Sequence, residues 1–423
     1  MRPLPPIPDW VTLEHQVAQI LQTQEENGWT FDERAAWELT QTLQKEYEET
    51  VKILRERHPQ IQGTEFTPKR DNRTQGYIRG ATFTRLKELN PTSRDHIAWI
   101  LTTHYGWKPS LMTSTGKPVI DEVILKEIGT EISMMFFKCL DLTKKLGMLS
   151  EGNNAWLKLV TKSKIHHHCS VATNTHRCAH RNPNLSQVPS DERFRKLFTA
   201  SPDKVMVGAD LSGIELRMLA HYIHPYDGGR YSNILLTGDI HQVNADKIGI
   251  SRRLVKTVTY AFLYGAGDIK IGLSYEQCLS EDQARAKGKE IRRAFIDAIP
   301  GLAKLLKAIK DASKRGFIRA IDGRKIEVDS SHKALNYCLQ SSAGVIAKRW
   351  MVIANDYIHT HPYFEATQLA FIHDELQYQT TTKYVNDIKF TLEFSAARAG
   401  EFYNTRIPIA AESKAGRTWA EVH

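Results

Sequence analysis

The chain has 423 residues, 41% of them apolar and 25% charged, which are values of a globular protein and exclude wholesale disorder. Lysine and arginine number 57 against 48 acids, so the net charge of +9 favours a polyanionic partner such as nucleic acid. No uncharged run reaches bilayer-spanning length and Met1 to Pro8 lacks a signal-peptide core, so no membrane partner is expected. The cysteines Cys139, Cys169, Cys178, Cys278 and Cys338 are odd in number and show no C-x-x-C pair, which predicts free thiols and a reducing, cytoplasmic setting.

In chain order, Leu13, Val17, Ile20 and Leu21 recur at helical spacing until Gly28 stops the pattern. Thr30 and Glu33 stand at capping-box spacing before a second, longer helix carrying Ala36, Leu39, Leu43, Tyr47, Val51 and Leu54 on one face. From His58 to Lys87 the periodicity fails and lysines and arginines stand among Gly, Thr and Pro, which reads as a basic loop able to grip phosphates or merely connect. Pro91 to Asp95 caps a helix through Ile97, Trp99, Ile100 and Leu101, and a mainly helical segment covers Glu122 to Leu149. In His166 to Cys169 adjacent residues of an extended chain point to alternate sides, and no second pair stands at ligand spacing. A phosphate-facing basic strand next to Lys162 and Lys164 is therefore expected there, not a zinc site.

Val205 to Ala209 is an apolar run that reads as a buried strand delivering Asp210 to its end, with a helix from Ile214 to Ile223 after it. His241 to Lys314 is helical in pattern, Gly316 to Val328 reads as a hairpin turning at Asp322-Gly323, and Leu335 to Ile358 is helix again. Thr367 to Ile372 and Glu375 to Thr380 read as strands flanking His373 and Asp374, so the second aspartate sits in a tight turn.

Two aspartates at strand ends are the minimum protein bridge for a pair of divalent ions about 3.5–4 Å apart, which can activate a 3′ hydroxyl and neutralise a triphosphate. Asp210 and Asp374 are the candidates, with the backbone carbonyl of Leu211 as a further oxygen and Glu375 as a nearby acid. Between them, Arg252, Lys256, Tyr260 and Tyr264 repeat every four residues, an advance of about 6 Å per step. That stripe suits phosphates, then a sugar and base.

Asp210-Leu-Ser-Gly-Ile-Glu-Leu-Arg217, the Arg252-x3-Lys256-x3-Tyr260-x3-Tyr264-Gly265 helix and His373-Asp-Glu375 resemble, in order and spacing, motifs A, B and C of the family A (Pol I-type) DNA polymerases. The wider pattern, over roughly residues 10 to 423, is similar to replicative polymerases of short-tailed bacteriophages. The resemblance implies an α+β fold: a right hand with an antiparallel-sheet palm and mainly helical thumb and fingers. Its boundaries would be 1–160 for the N-terminal segment and thumb, 161–235 and 331–423 for the two parts of the palm, and 236–330 for the fingers.

It also implies residue roles. Asp210 and Asp374 would bind two Mg²⁺ ions, with Mn²⁺ a possible substitute. Lys256 and Arg252 would hold the triphosphate, with His241 assisting. Glu215 would crowd a ribose 2′ hydroxyl, and Tyr260 would stack beside the incoming sugar and permit dideoxynucleotides. Tyr264 completes the nucleotide-binding stripe. Arg177, Gln187, Asn336, Gln340 and His373 match positions that contact primer–template DNA, and Arg195 one near the triphosphate. The expected activity is template-directed addition of deoxynucleotides.

The resemblance begins almost at residue 10, which leaves no space for a proofreading exonuclease, so editing is expected from a separate polypeptide or not at all. The short His58 to Lys87 stretch makes a thioredoxin-type clamp unexpected and low intrinsic processivity expected, unless another processivity factor acts. Two rival readings stay open at this point: a single-subunit RNA polymerase, and a non-catalytic polymerase-like DNA-binding protein.

Overall fold

The computed structural model describes residues 6–109, 111–276 and 279–423, which form two compact units: residues 34–158, and the segments before and after them. Cys278 lies outside the described residues. Cys139, Cys169, Cys178 and Cys338 are free and buried, as expected.

In the discontinuous unit a four-stranded antiparallel sheet takes the order Thr367–Ile372, Glu375–Thr380, Val205–Leu211, Ala411–Gly416. The two inner strands are apolar or fully covered, because Val207, Ala209, Leu376 and Tyr378 pack into the main core. The 26-residue helix Ala334–His359 and the helix Val385–Phe402 pack on one another, and the latter also packs on the sheet. The Ala334–His359 helix is buried along most of its length, which explains a sequence apolar on nearly every face.

Helix Asp9–Asn27 belongs to this unit and not to residues 34–158, because its buried face packs against Ala334–His359 and the strand Thr367–Ile372. A buried ionic knot fastens it: Glu14 accepts from Lys348 at 2.6 Å and pairs with Arg324, which also binds Asp322 at 2.6 Å. The segment that then enters residues 34–158 does so from strand Trp29–Phe31, which lies between Lys164–Ile165 and Phe198–Thr199. Thr30 therefore forms no capping box. It is drawn into this sheet, its hydroxyl lies 3.1 Å from that of Ser201, and the following helix begins at Glu33.

Residues 240–313 form a helical array of Ile240–Ile248, Arg252–Leu263, Asp268–Tyr275, Glu281–Ala298 and Leu302–Ser313, followed by the hairpin Phe317–Arg319 with Lys325–Glu327. Two of these helices touch backbone to backbone. A Cβ added at Gly272 would stand 1.9 Å from the carbonyl oxygen of Ala284, and one at Gly288 1.8 Å from that of Asp268. Only glycine lets the helices approach so closely.

The second unit is built on helices Glu33–Arg57, Arg94–Tyr105, Glu122–Ile128 and Glu131–Leu146 around Leu54, Ile97, Ile100, Leu101, Leu125, Ile132 and Phe136. The stretch read as a loop is a β-ribbon, Gln60–Phe66 with Phe83–Glu88, whose root is anchored by Ile61 and Leu89. Phe66, Tyr77 and Phe83 cluster with ring centroids 5.0 to 6.2 Å apart, and Lys69, Arg70, Arg73, Arg79, Arg85 and Lys87 are exposed.

Candidate active site

The apolar run Val205 to Ala209 sits second from one edge of the sheet and ends at Asp210, directly opposite Glu375 on one neighbouring strand and Glu412 on the other. Asp374 precedes Glu375 in the tight turn, and its carbonyl accepts from the Leu211 amide at 3.0 Å. This bond registers the two aspartates against each other across 163 residues of sequence. His373 makes the turn with a left-handed φ of 59°, which non-glycine residues rarely adopt.

Like charges placed opposite each other across a sheet repel. Burial, with Asp374 and Glu375 nearby, raises the Asp210 carboxyl to about 7. Burial, with Glu215 nearby, raises Asp374 to about 6, although Arg177 opposes this. Such a cluster is electrostatically incomplete without a cation, and its donors are hard carboxylate oxygens of the kind divalent ions prefer. Glu375 is a different kind of acid. It is 6% exposed and receives the Trp419 indole N–H at 2.6 Å, the Gln377 amide, and a contact from His423 Nδ1 at 3.1 Å. A 330 Å³ cavity beside Asp210 is lined by Ser212, Glu375, Glu412, Lys414 and His423.

Helix Arg252–Leu263 starts at Ser251, whose hydroxyl accepts from the Leu254 amide, and it buries Val255, Val258, Thr259, Phe262 and Leu263. The opposite stripe carries the predicted residues. Arg252 is half exposed and donates to Asp239 at 2.6 Å, while Asp239 also caps the helix of His241. Lys256 is exposed, and the rings of Tyr260 and Tyr264 stack at 6.4 Å with 21° between planes. His241 is 8% exposed, lies 6.1 Å from the Tyr260 ring, and burial lowers its pKa. Its neutral form can still donate an N–H.

Glu215 joins this stripe to the aspartates. On the first turn of the helix after Asp210, it accepts from Arg177 at 2.6 Å and from the Tyr264 hydroxyl at 3.1 Å. Arg177 is thus committed to Glu215. Asn336 is 7% exposed and its amide donates to the Leu263 carbonyl at 2.8 Å, so it ties the long helix to the end of the Arg252–Leu263 helix. Gln340 lies one turn further along the same long helix, half buried, and Gln187 is exposed at the end of a short 3₁₀ turn. Arg195 lies over the Trp419 ring at 5.2 Å, and Glu375 is the charge that counters its burial.

The expected phosphate-facing strand at His166 to Cys169 is not one. His167 and Cys169 are buried on one side, while His166 and His168 bond Glu25 at 2.7 and 2.8 Å. Glu412, Trp419 and His423 also lie beside the acids, a placement that the sequence reading does not foresee. Their only link to Asp210 or Glu375 is strand register and packing over 35 or more residues of sequence.

A family model described as DNA polymerase family A matches residues 41–421. The chain belongs to that family. It is 31% identical to the DNA-directed DNA polymerase of Enterobacteria phage T3 and 30% identical to that of Escherichia phage T7, in each case over 98% of this chain and 70% of the relative. Among solved structures it resembles the polymerase domain of Pol1 from M. smegmatis, in a complex with DNA primer-template and dNTP, with a TM-score of 0.77 at 19% identity. That match covers 97% of this chain and 70% of the other. The fold is therefore the family's right hand, its palm the antiparallel sheet that carries Asp210 and Asp374. Family A polymerases use divalent metal ions, and among the described residues no helix is long and apolar enough to cross a membrane.

Proposed function

We propose that this family A DNA polymerase extends primer–template DNA with deoxynucleotides at the site where Asp210 and Asp374 meet the Arg252–Tyr264 stripe. The observation that carries this reading is the Tyr264 hydroxyl bonded to Glu215, five residues after Asp210, because it brings the nucleotide-gripping helix to the acids.

Asp210 and Asp374 would hold two Mg²⁺ ions, with the Leu211 carbonyl as a further ligand. When bound, such ions lower the pKa of the 3′ hydroxyl and offset the charge developing on the phosphate. Arg252 and Lys256 bind and orient the triphosphate, and pairing with Asp239 holds the Arg252 guanidinium in a fixed direction. Lys256 lies one turn nearer the acids, where a proton is needed on the departing pyrophosphate. His241 donates to a phosphate oxygen. Tyr260 provides the surface for sugar and base, and Glu215 fills the space a 2′ hydroxyl would need. Glu375 supports the aspartates from behind, and Arg195 lies near the phosphates.

Gln187, Gln340, Asn336, Arg177 and His373 would contact the primer–template, Arg177 and Asn336 by exchanging their present partners Glu215 and Leu263. Minor-groove acceptors common to all correct pairs suit the free amides of Gln187 and Gln340 best. In domain terms, residues 161–235 and 331–423 make the palm and 236–330 the fingers. The thumb is the compact unit of residues 34–158, and helix Asp9–Asn27 joins the palm.

Primer extension with deoxy- and ribonucleotides tests the reading. Asp210→Ala and Asp374→Ala should each reduce extension with Mg²⁺ by about a thousandfold or more, the loss of roughly 4 kcal/mol of transition-state stabilisation. Undiminished extension in either variant would overturn it.

A further inference from the structure

Away from the aspartates, His167, Cys169 and His180 form a second cluster of ligating side chains, 1%, 8% and 8% exposed. Its origin lies in strand geometry. His167 and Cys169 are two residues apart and so share one side of the chain, and His180 is the direct cross-strand partner of Cys169 in the pair His168–Ser170 with Ala179–Arg181. One donor atom from each of the three lies within 4.8 Å of the other two, and Cys169 Sγ is 3.2 Å from His180 Nδ1.

The Gln24 side-chain nitrogen bridges two of the three, 3.1 Å from His167 Nε2 and 3.6 Å from Cys169 Sγ. The atoms that face one another, His167 Nε2, Cys169 Sγ and His180 Nδ1, are joined only through Gln24 and the thiol, while the outward ring nitrogens His167 Nδ1 and His180 Nε2 are buried without a partner. Two imidazoles and a thiol make a borderline-soft donor set, suited to zinc and unlike the carboxylate oxygens of the polymerase centre.

We propose that His167, Cys169 and His180 bind one zinc-class divalent ion that braces this hairpin against helix Asp9–Asn27. On binding, the Cys169 S–H bond breaks, the sulfur keeps the electron pair and bonds the metal, and the proton passes to solvent. Gln24 turns its amide aside, and its oxygen or a water supplies the fourth position. Bond lengths of about 2.3 Å to sulfur and 2.0–2.1 Å to nitrogen place ligand atoms roughly 3.3–3.6 Å apart, close to the observed sulfur–nitrogen spacing.

Cobalt titration of the full chain carrying Asp210→Asn and Asp374→Asn, which weakens cobalt uptake by the polymerase acids, tests the proposal. The result expected is one equivalent of Co²⁺ giving thiolate-to-metal absorption in the near ultraviolet, displaced by Zn²⁺. That absorption disappears in Cys169→Ser and weakens in His180→Ala, with the circular dichroism of the metal-free chain unchanged in each. Absence of the band in the chain with Cys169 intact, or its persistence in Cys169→Ser, overturns the site and leaves a hydrogen-bonded cluster only. Neither result bears on primer extension, which is measured with Mg²⁺ at the aspartates.

Discussion

Asp210 and Asp374 are visible in sequence because each ends an apolar run, and a charged residue at that place must face out of the core. Their electrostatic cost is not visible there. A carboxyl raised to about 7 in the folded chain, from 3.8 when unfolded, binds more protons folded than unfolded between those values. In metal-free protein this contribution to stability is therefore present below the unfolded pKa and lost as pH rises through about 7. Asp210→Asn should stabilise the metal-free chain at pH 8 by about 1 kcal/mol, discounted for the open side of the group, and much less at pH 4. Thermal melts in chelator at the two pH values measure this, and equal shifts at both would contradict it.

Glu215 is the second residue-scale case. Sequence resemblance marks it as the sugar selector, but its two partners, Arg177 and Tyr264, appear only in three dimensions. Glu215→Ala should raise the ratio of ribo- to deoxynucleotide incorporation by about tenfold or more, which needs a change of only ~1.4 kcal/mol in discrimination. An unchanged ratio in single-nucleotide extension would remove Glu215 from that role.

At the scale of elements, the helices of residues 9–27, 33–57 and 94–105 are legible because each buries one regular face, and that of residues 334–359 because it is a long, breaker-free run buried nearly all round. Periodicity failed for the ribbon of residues 60–88, whose second strand faces solvent at all but its first position and whose first strand buries only Ile61 among its described residues, so neither carries an alternating pattern. It also failed at Thr30, where pairing with Lys164 and Thr199 from distant sequence overrides a local capping signal. The glycine crossing of Asp268–Tyr275 and Glu281–Ala298 was likewise hidden, since a lone glycine inside a helix does not say what approaches it. Gly288→Ala should cost about 1–3 kcal/mol through overpacking against the Asp268 backbone, read as a lower denaturation midpoint. An alanine tolerated without loss would mean that the two helices separate freely.

For the whole molecule, the order of the motifs gave the right-hand plan, but not which residues form a compact unit. Helix Asp9–Asn27 lies next to residues 34–158 in sequence and packs elsewhere, held by Glu14 on Lys348 and Arg324. Such charge pairs between residues more than 300 apart leave no local signal. The bond from the Phe31 amide to the Ser163 carbonyl, 2.9 Å, closes strand Trp29–Phe31 onto the chain where it returns. The chain thus leaves the discontinuous unit for residues 34–158 and returns to it through one doorway, with Phe31 and Ser163 side by side. Replacing residues 34–158 with a short Gly/Ser linker should leave a body that melts cooperatively and still takes up nucleotide while its hold on duplex DNA drops, and a remainder that fails to fold would deny the doorway.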